Sequence, residues 1–315
     1  MKKIVLFGAG EHGKKIYDFL QYKNMENIVE CFCDNNVNET EEGKNWRGGI
    51  KVCNYESCKL QQKTFVISVE KENYVKEIET ILENNEENYF INIFQWAVSQ
   101  NIDMVEWYRD YCAWFHVNIM DGYFDRAELS DAMDVFWGED TVFYKMFKQL
   151  DLENVIELAV GRGRHVKMYE PKAKHIVVVD ILQKNIDYCK ERYKDSKKID
   201  YLCNNGYNLK ELNSGEYSAL FCYDAMVHFE MMDIYEYLRD IYRVLKPNGM
   251  ALLHHSNNTS DYRGSFSNSM AGARNYMSKD LFAYLSYRAG FEVVDQKVID
   301  WEVKDLDCVT LLKKC

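Results

Sequence analysis

The stretch Val155-Ile-Glu-Leu-Ala-Val-Gly-Arg-Gly-Arg-His165, read with Ile176-Val-Val-Val-Asp180, constrains the fold of this chain most. An apolar run closes in a glycine-containing turn, a helical segment follows, and a second apolar run ends on an acid. Such a turn lets bare backbone approach a ligand, and an acid at the tip of the next strand stands where ribose hydroxyls can be hydrogen-bonded. The stretch predicts a parallel α/β unit with a nucleotide-type pocket.

Its spacing is tighter than a dinucleotide fingerprint, because Gly161 and Gly163 lie two apart and Asp180 follows Gly163 by seventeen residues. The arrangement resembles the first motif of Rossmann-like S-adenosylmethionine (SAM) methyltransferases, an acid followed by G-x-G-x-G. Glu157 stands at the acid, and Ala159, Gly161 and Gly163 stand at the glycine positions. Ala159 departs from the pattern, and its methyl would press on the methionine side of the ligand or on the turn. The resemblance implies SAM as cofactor with Asp180 on its ribose. It also implies that Asn205, next to Gly206, takes the place of the family's acid at the adenine amino group.

A length of 315 residues, 47% of them apolar, is enough for two cores. The net charge of -11, with pI near 5.2 and no basic stripe, argues against nucleic acid as a partner. The opening Met-Lys-Lys-Ile-Val-Leu-Phe-Gly enters a strand without a long apolar region, and no run reaches the length of a membrane span. A cytoplasmic protein without membrane insertion is the expectation. Ten scattered cysteines form no C-x-x-C pair and no Cys/His cluster at zinc spacing, so reduced core thiols and no metal site are expected.

A second glycine turn opens the chain. Residues 3–7 read as a strand, Gly8-Ala-Gly-Glu-His-Gly13 as the turn, and residues 28–33 as a strand ending at Asp34. This satisfies G-x-G-x-x-G with a following acid, and a dinucleotide reading is open on pattern alone. Only about one hundred residues precede the next segment, room for one half of a doubly wound sheet, with later strands near 51–53, 64–69 and 89–93. Phe7-Gly-Ala-Gly-Glu-His-Gly-Lys14 with Cys33-Asp-Asn35 resembles the small N-terminal domain of bacterial nucleotide-sugar acetyltransferases, over residues 1–95. The resemblance implies a UDP-sugar held by Gly8, Gly10, His12 and Gly13 near its phosphates and by Asp34 near its base.

Between residues 99 and 150, Met104, Trp107, Tyr108, Tyr111, Trp114 and Phe115 recur at helical spacing. Val142, Phe143, Met146, Phe147 and Leu150 repeat the pattern after a Thr141 cap. These are amphipathic helices with an aromatic core stripe. Helices ahead of the SAM motif often cover the cofactor in the resembling family, which makes Trp107, Tyr108, Trp114 and Tyr123 lid candidates.

Further on, residues 217–223 read as a buried strand delivering Asp224-Ala-Met-Val-His228, and Lys246-Pro-Asn-Gly249 as a turn. Residues 250–253 then deliver His254-His255-Ser-Asn, and a helix capped by Ser278 and stopped by Gly290 precedes a closing antiparallel pair. These segments resemble a bacterial subgroup of SAM methyltransferases met among surface-polysaccharide modification enzymes. Methyl transfer requires donor and acceptor to be aligned and a proton to be removed from the acceptor. Asp224, His228, His254 and His255 fall at carboxyl ends of strands, where ligands lie in parallel α/β folds. Adjacent residues on a strand face opposite ways, so one of His254 and His255 is expected in the pocket.

The expected fold is α/β with two Rossmann-like domains: a half-Rossmann nucleotide-sugar domain over 1–98, a helical connector and lid over 99–150, and a SAM methyltransferase domain over 151–315. The expected activity is O- or N-methylation of a sugar or nucleotide-sugar, with an NAD-dependent oxidoreductase or a non-catalytic nucleotide-sugar-binding protein as alternatives. A homo-oligomer is left open.

Overall fold

A computed structural model describes residues 2–36, 49–59, 63–118, 122–260, 274–301 and 303–315. The chain divides into two compact units, Met1–Trp107 and Tyr108–Cys315.

In the first unit β1 (Ile4–Phe7) is apolar and buried at every position, as a central parallel strand must be. It is followed by α1 (Glu11–Tyr22), β2 (Val29–Cys33), β3 (Val52–Cys53) and α2 (Tyr55–Lys59). After these come β4 (Thr64–Ile67), α3 (Glu72–Asn84), β5 (Asn88–Phe90) and α4 (Ile93–Ser99). The five strands run parallel in the order β3-β2-β1-β4-β5. Each overlaps the stretch expected from the sequence, with β4 and β5 ending two and three residues early. Strand order reverses between β1 and β4, the point beyond whose carboxyl ends open parallel sheets hold ligands. The division between units falls inside the next helix, α5 (Met104–Asn118).

The second unit continues with α6 (Tyr123–Arg126), α7 (Ser130–Trp137) and α8 (Val142–Phe147). Thr141 caps α8 by accepting the Tyr144 amide at 3.2 Å. Then follow β6 (Asn154–Leu158), α9 (Val166–Tyr169), β7 (His175–Asp180), α10 (Gln183–Arg192), β8 (Ile199–Cys203) and β9 (Tyr217–Cys222). The unit closes with α11 (Met231–Val244), β10 (Leu245–Ser256), α12 (Lys279–Ala289), β11 (Phe291–Trp301) and β12 (Val303–Lys314). Their order in the sheet is β11-β12-β10-β9-β6-β7-β8. Pairing is parallel from β10 through β8, and β12 runs antiparallel between β10 and β11.

Successive residues of β7 and β9 enter opposite cores. Ile176, Val178, Ala219 and Phe221 pack with Phe143, Phe147 and Tyr169, while Val177, Val179, Leu220 and Cys222 pack with Ile234, Leu238 and Ile241. Both faces are covered, which is why these strands read as continuous apolar runs. The aromatic residues of α7 and α8 are core. Trp137 meets Phe147 edge-on at 4.9 Å, and Phe147 meets Phe221 at 5.2 Å.

Lys246-Pro-Asn-Gly249 forms a bulge inside β10. Pairing with β9 jumps from Leu245 and Tyr217 to Met250 and Ala219, and Asn248 takes a φ of +65°. Ser278 caps α12 by accepting the Leu281 amide, and Gly290 ends it at a φ of +109°.

Candidate active site

The site of the second unit assembles where β6, β7 and β9 end. Beyond Leu158 the chain turns through Ala159, Gly161 and Gly163 at φ of +59°, +56° and +77°. An L side chain in this region costs about 1–2 kcal/mol, so Ala159 holds the turn against strain that glycine would not carry. Ala159 and Gly161 line a cavity; Gly163 does not. A Cβ on Gly163 would meet the Tyr193 ring at 2.8 Å, so packing accounts for that glycine.

Asp180, at the tip of β7, lines the same cavity. Its Oδ2 accepts the Gly161 amide at 2.9 Å, and its Oδ1 accepts the Leu182 amide at 2.9 Å and Asn185 Nδ2 at 3.1 Å. Burial still raises the carboxyl to about 6, because lost hydration outweighs these donors.

Asp224 follows β9 in a left-handed conformation, φ +54°. Its Oδ2 accepts Arg164 Nη2 at 2.6 Å and the Tyr123 hydroxyl at 2.7 Å. Burial alone would raise this carboxyl, but the Arg164 guanidinium beside it holds it well below the usual carboxylate range. Asp224 thereby anchors Arg164 and Tyr123 and is unsuited to take a proton near neutral pH. His228 ends the short 3-10 turn Met226–His228 and lines the cavity, its ring 4.7 Å from that of His116. Burial lowers the His116 imidazole. Glu230 also lines the cavity, its carboxyl raised to about 7 by burial and by neighbouring Asp233. Asp233 itself is held in a fork by Arg109, at 2.9 and 2.8 Å.

Neither His254 nor His255 reaches this cavity, contrary to the expectation that one of them would. The strand carrying them, β10, packs into a core on each face of the sheet, and both imidazoles are fully buried. His254 Nδ1 accepts the Asp224 amide at 3.1 Å and its Nε2 meets Asp307 at 3.0 Å. His255 stacks on Phe282 at 3.6 Å and bonds to the Thr310 hydroxyl and the Ser256 carbonyl. Burial lowers its imidazole to about 3.

Other expected contacts are also absent from the lining. Glu157 is buried, its carboxyl raised to about 8 by burial, and it accepts the Tyr169 hydroxyl at 2.7 Å. Asn205 Oδ1 accepts the amides of Tyr207 and Asn208, a local turn that commits the oxygen meant for adenine. Its neighbours Asn204 and Gly206 line the cavity instead. Among the lid candidates Tyr123 lines it, whereas Trp107 and Trp114 are buried in packing and Tyr108 is half-buried, its phenol raised to about 12 by burial. The sequence reading missed Arg164, His116, Arg109, Asp233 and Glu230. Arg164 stood inside a motif string already singled out and Glu230 two residues beyond another; for the others no local signal existed.

In the first unit, two glycines of the turn are required by packing. A Cβ on Gly13 would fall 2.0 Å from the Gly8 carbonyl oxygen, and one on Gly8, at φ +122°, would meet Val69 at 2.5 Å. Gly10 differs. It caps α1 at φ −75° and ψ −169°, open to any residue, and among the described residues nothing lies within 4 Å of its Cβ position. Asp34 Oδ2 accepts the Ala9 amide at 2.9 Å, tying the acid to the turn, and His12 Nδ1 pairs with Glu70 at 2.9 Å.

Residues 156–253 match the methyltransferase domain family. A curated relative, a ubiquinone biosynthesis O-methyltransferase of Rickettsia conorii, is 26% identical over 122 residues, 37% of this chain and 39% of that protein. The match thus spans about two fifths of the relative's length. Among solved structures, a SAM-dependent methyltransferase from Aquifex aeolicus aligns at 14% identity and a TM-score of 0.46, covering 61% of this chain and 96% of that one. One from Mesorhizobium loti aligns at 12% and 0.45, covering 55% and 97%. No described helix is long and apolar enough to cross a membrane. Within the second unit, the stretch from β6 into β10 is the part of this chain that matches a methyltransferase domain.

Proposed function

We propose that this protein transfers the methyl group of SAM to a hydroxyl or amine of a sugar. The observation that carries the reading is the convergence of the Ala159–Gly161 backbone, Asp180 and His228 on one cavity at the carboxyl ends of β6, β7 and β9. Asp180 is buried with a raised carboxyl despite three donors, so its ionised form is under-compensated, and two ribose hydroxyls would supply what is missing. Gly161 leaves room for backbone to meet a ligand; a Cβ there would already press on Phe124 at 3.1 Å.

Bound SAM supplies an electrophilic methyl. Around it Asp180 would orient the ribose end, and His228 would accept the acceptor's proton through a neutral imidazole. Tyr123 and Arg164, both held by Asp224, would form the wall on the acceptor side. The sugar acceptor is supported by the first unit, where Gly10, alone of the turn's glycines, meets nothing among the described residues that would require glycine. A diphosphate at the N-terminus of α1 would need that space. The test is methyl transfer from labelled SAM to a panel of UDP-sugars, with calorimetric binding of each ligand to the whole chain. Transfer to a sugar supports the reading; binding of NAD without any UDP-sugar binding, or SAM binding without sugar methylation, overturns the sugar assignment.

A further inference from the structure

We propose that Cys31, Cys53 and Cys58 form a binding site for a soft divalent cation, with Zn2+ as the natural class. No ligand motif marks these residues in the sequence. The sheet brings them together: Cys31 lies on β2, Cys53 on the neighbouring β3, and Cys58 on α2, which packs against the same face. Their three sulfurs lie within 4.8 Å of one another, and Cys31 Sγ and Cys58 Sγ are 4.0 Å apart. A cation about 2.3 Å from each of three thiolates separates the sulfurs by about 3.8–4.0 Å, so the Cys31–Cys58 pair already has the needed spacing and Cys53 needs to approach by at most about 1 Å.

The surroundings suit a thiolate site closed to most solvent. Cys31 and Cys58 are buried among Tyr55, Phe65 and Ile78, while Cys53 is half-exposed and offers the way in. As thiols they share a hydrogen bond, and that bond followed by burial raises Cys31 far above its ordinary value. Binding must therefore expel protons: one M2+ and three thiols give one tris-thiolate complex with a net charge of −1 and three protons. The Lys63 ammonium, paired with Glu30 at 2.7 Å, lies close enough to Cys31 to favour its thiolate and offsets part of that charge.

The experiment titrates Cd2+ into the reduced full-length chain, in a Cys315→Ser background that removes the exposed thiol. The expected result is one equivalent bound, a thiolate-to-cadmium charge-transfer absorption, displacement by Zn2+, and release of about three protons. Cys53→Ser, a half-exposed position, and Cys58→Ser should each abolish stoichiometric binding. Absence of the absorption in the parent protein, or its survival at one equivalent in either variant, overturns the site. The parent titration decides even where Cys58→Ser does not fold.

Discussion

His254 Nδ1 accepts the backbone N–H of Asp224 at 3.1 Å, and its other ring nitrogen faces Asp307 at 3.0 Å. With Nδ1 the acceptor, Nε2 carries the proton and donates it to the carboxylate, which Arg274 grips at 2.9 and 2.6 Å. This buried chain holds Asp224 in its left-handed conformation and leaves His254 no lone pair for substrate. His254→Ala should lose about 1–3 kcal/mol of stability through the unpaired Asp224 amide, together with turnover, yet leave the pH dependence of the remaining activity unchanged. Urea denaturation and a pH–rate profile check this; loss of the acid limb would return His254 to the role of base.

Under the proposed function, His228 takes the acceptor's proton, since its imidazole lines the cavity. His228→Asn should lower kcat by about a hundredfold or more and leave SAM affinity within about twofold, since the ring serves the acceptor and not the donor. Steady-state kinetics beside calorimetry separate the two. An undiminished kcat would shift the role to Glu230, whose carboxyl near 7 makes it the next base in the cavity.

If Asp180 holds the ribose as proposed, ligand binding acquires a pH dependence whose sign follows from its raised carboxyl. Because the folded value of about 6 exceeds the ordinary carboxylate value, the fold prefers the protonated form, and Asp180 costs stability as pH rises through the interval from about 4 to 6. Ribose hydroxyls donate to the ionised form. Affinity for the demethylated product of SAM should therefore fall as pH drops below about 6, and Asp180→Asn should flatten that dependence while weakening binding by about 1–3 kcal/mol. Calorimetry between pH 5 and 8 reads both; a pH-independent parent affinity contradicts the assignment.

Gly10 and Gly13 separate ligand from packing. Gly10→Val should leave the melting temperature within a degree or two, because the position is extended and open, and should abolish UDP-sugar binding. Gly13→Ala forces a Cβ onto the Gly8 carbonyl and should destabilise the protein by about 1–3 kcal/mol. Thermal melts with and without UDP-sugar test the pair. Retained binding in Gly10→Val would remove the turn from the nucleotide site.

Ala159 sits at φ +59°, where a Cβ costs about 1–2 kcal/mol, against roughly 0.5–1 kcal/mol of unfolded-state entropy that glycine would add. Ala159→Gly should thus raise stability by up to about 1 kcal/mol. Denaturant unfolding that shows a loss would mean that the methyl packs favourably in the turn.

Local sequence determined the elements. Continuous apolar runs foretold the central strands because those strands are buried on both faces, and Thr141, Ser278 and Gly290 cap or end helices where their chemistry allows. The turn at Ala159–Gly163 and the acid at Asp180 were legible because left-handed backbone and strand-tip position depend on neighbours in the chain.

Tertiary structure decided which strand-end residues face the cavity. His228 and His254 look alike in the sequence, but one ends a short turn beside the cavity while the other is covered by β12, a partner more than fifty residues away. Arg109 and Asp233 meet across 124 positions, and Cys31 and Cys58 converge through the packing of α2 on the sheet. Such pairings are set by strand order and long-range burial, for which a local spacing has no signal.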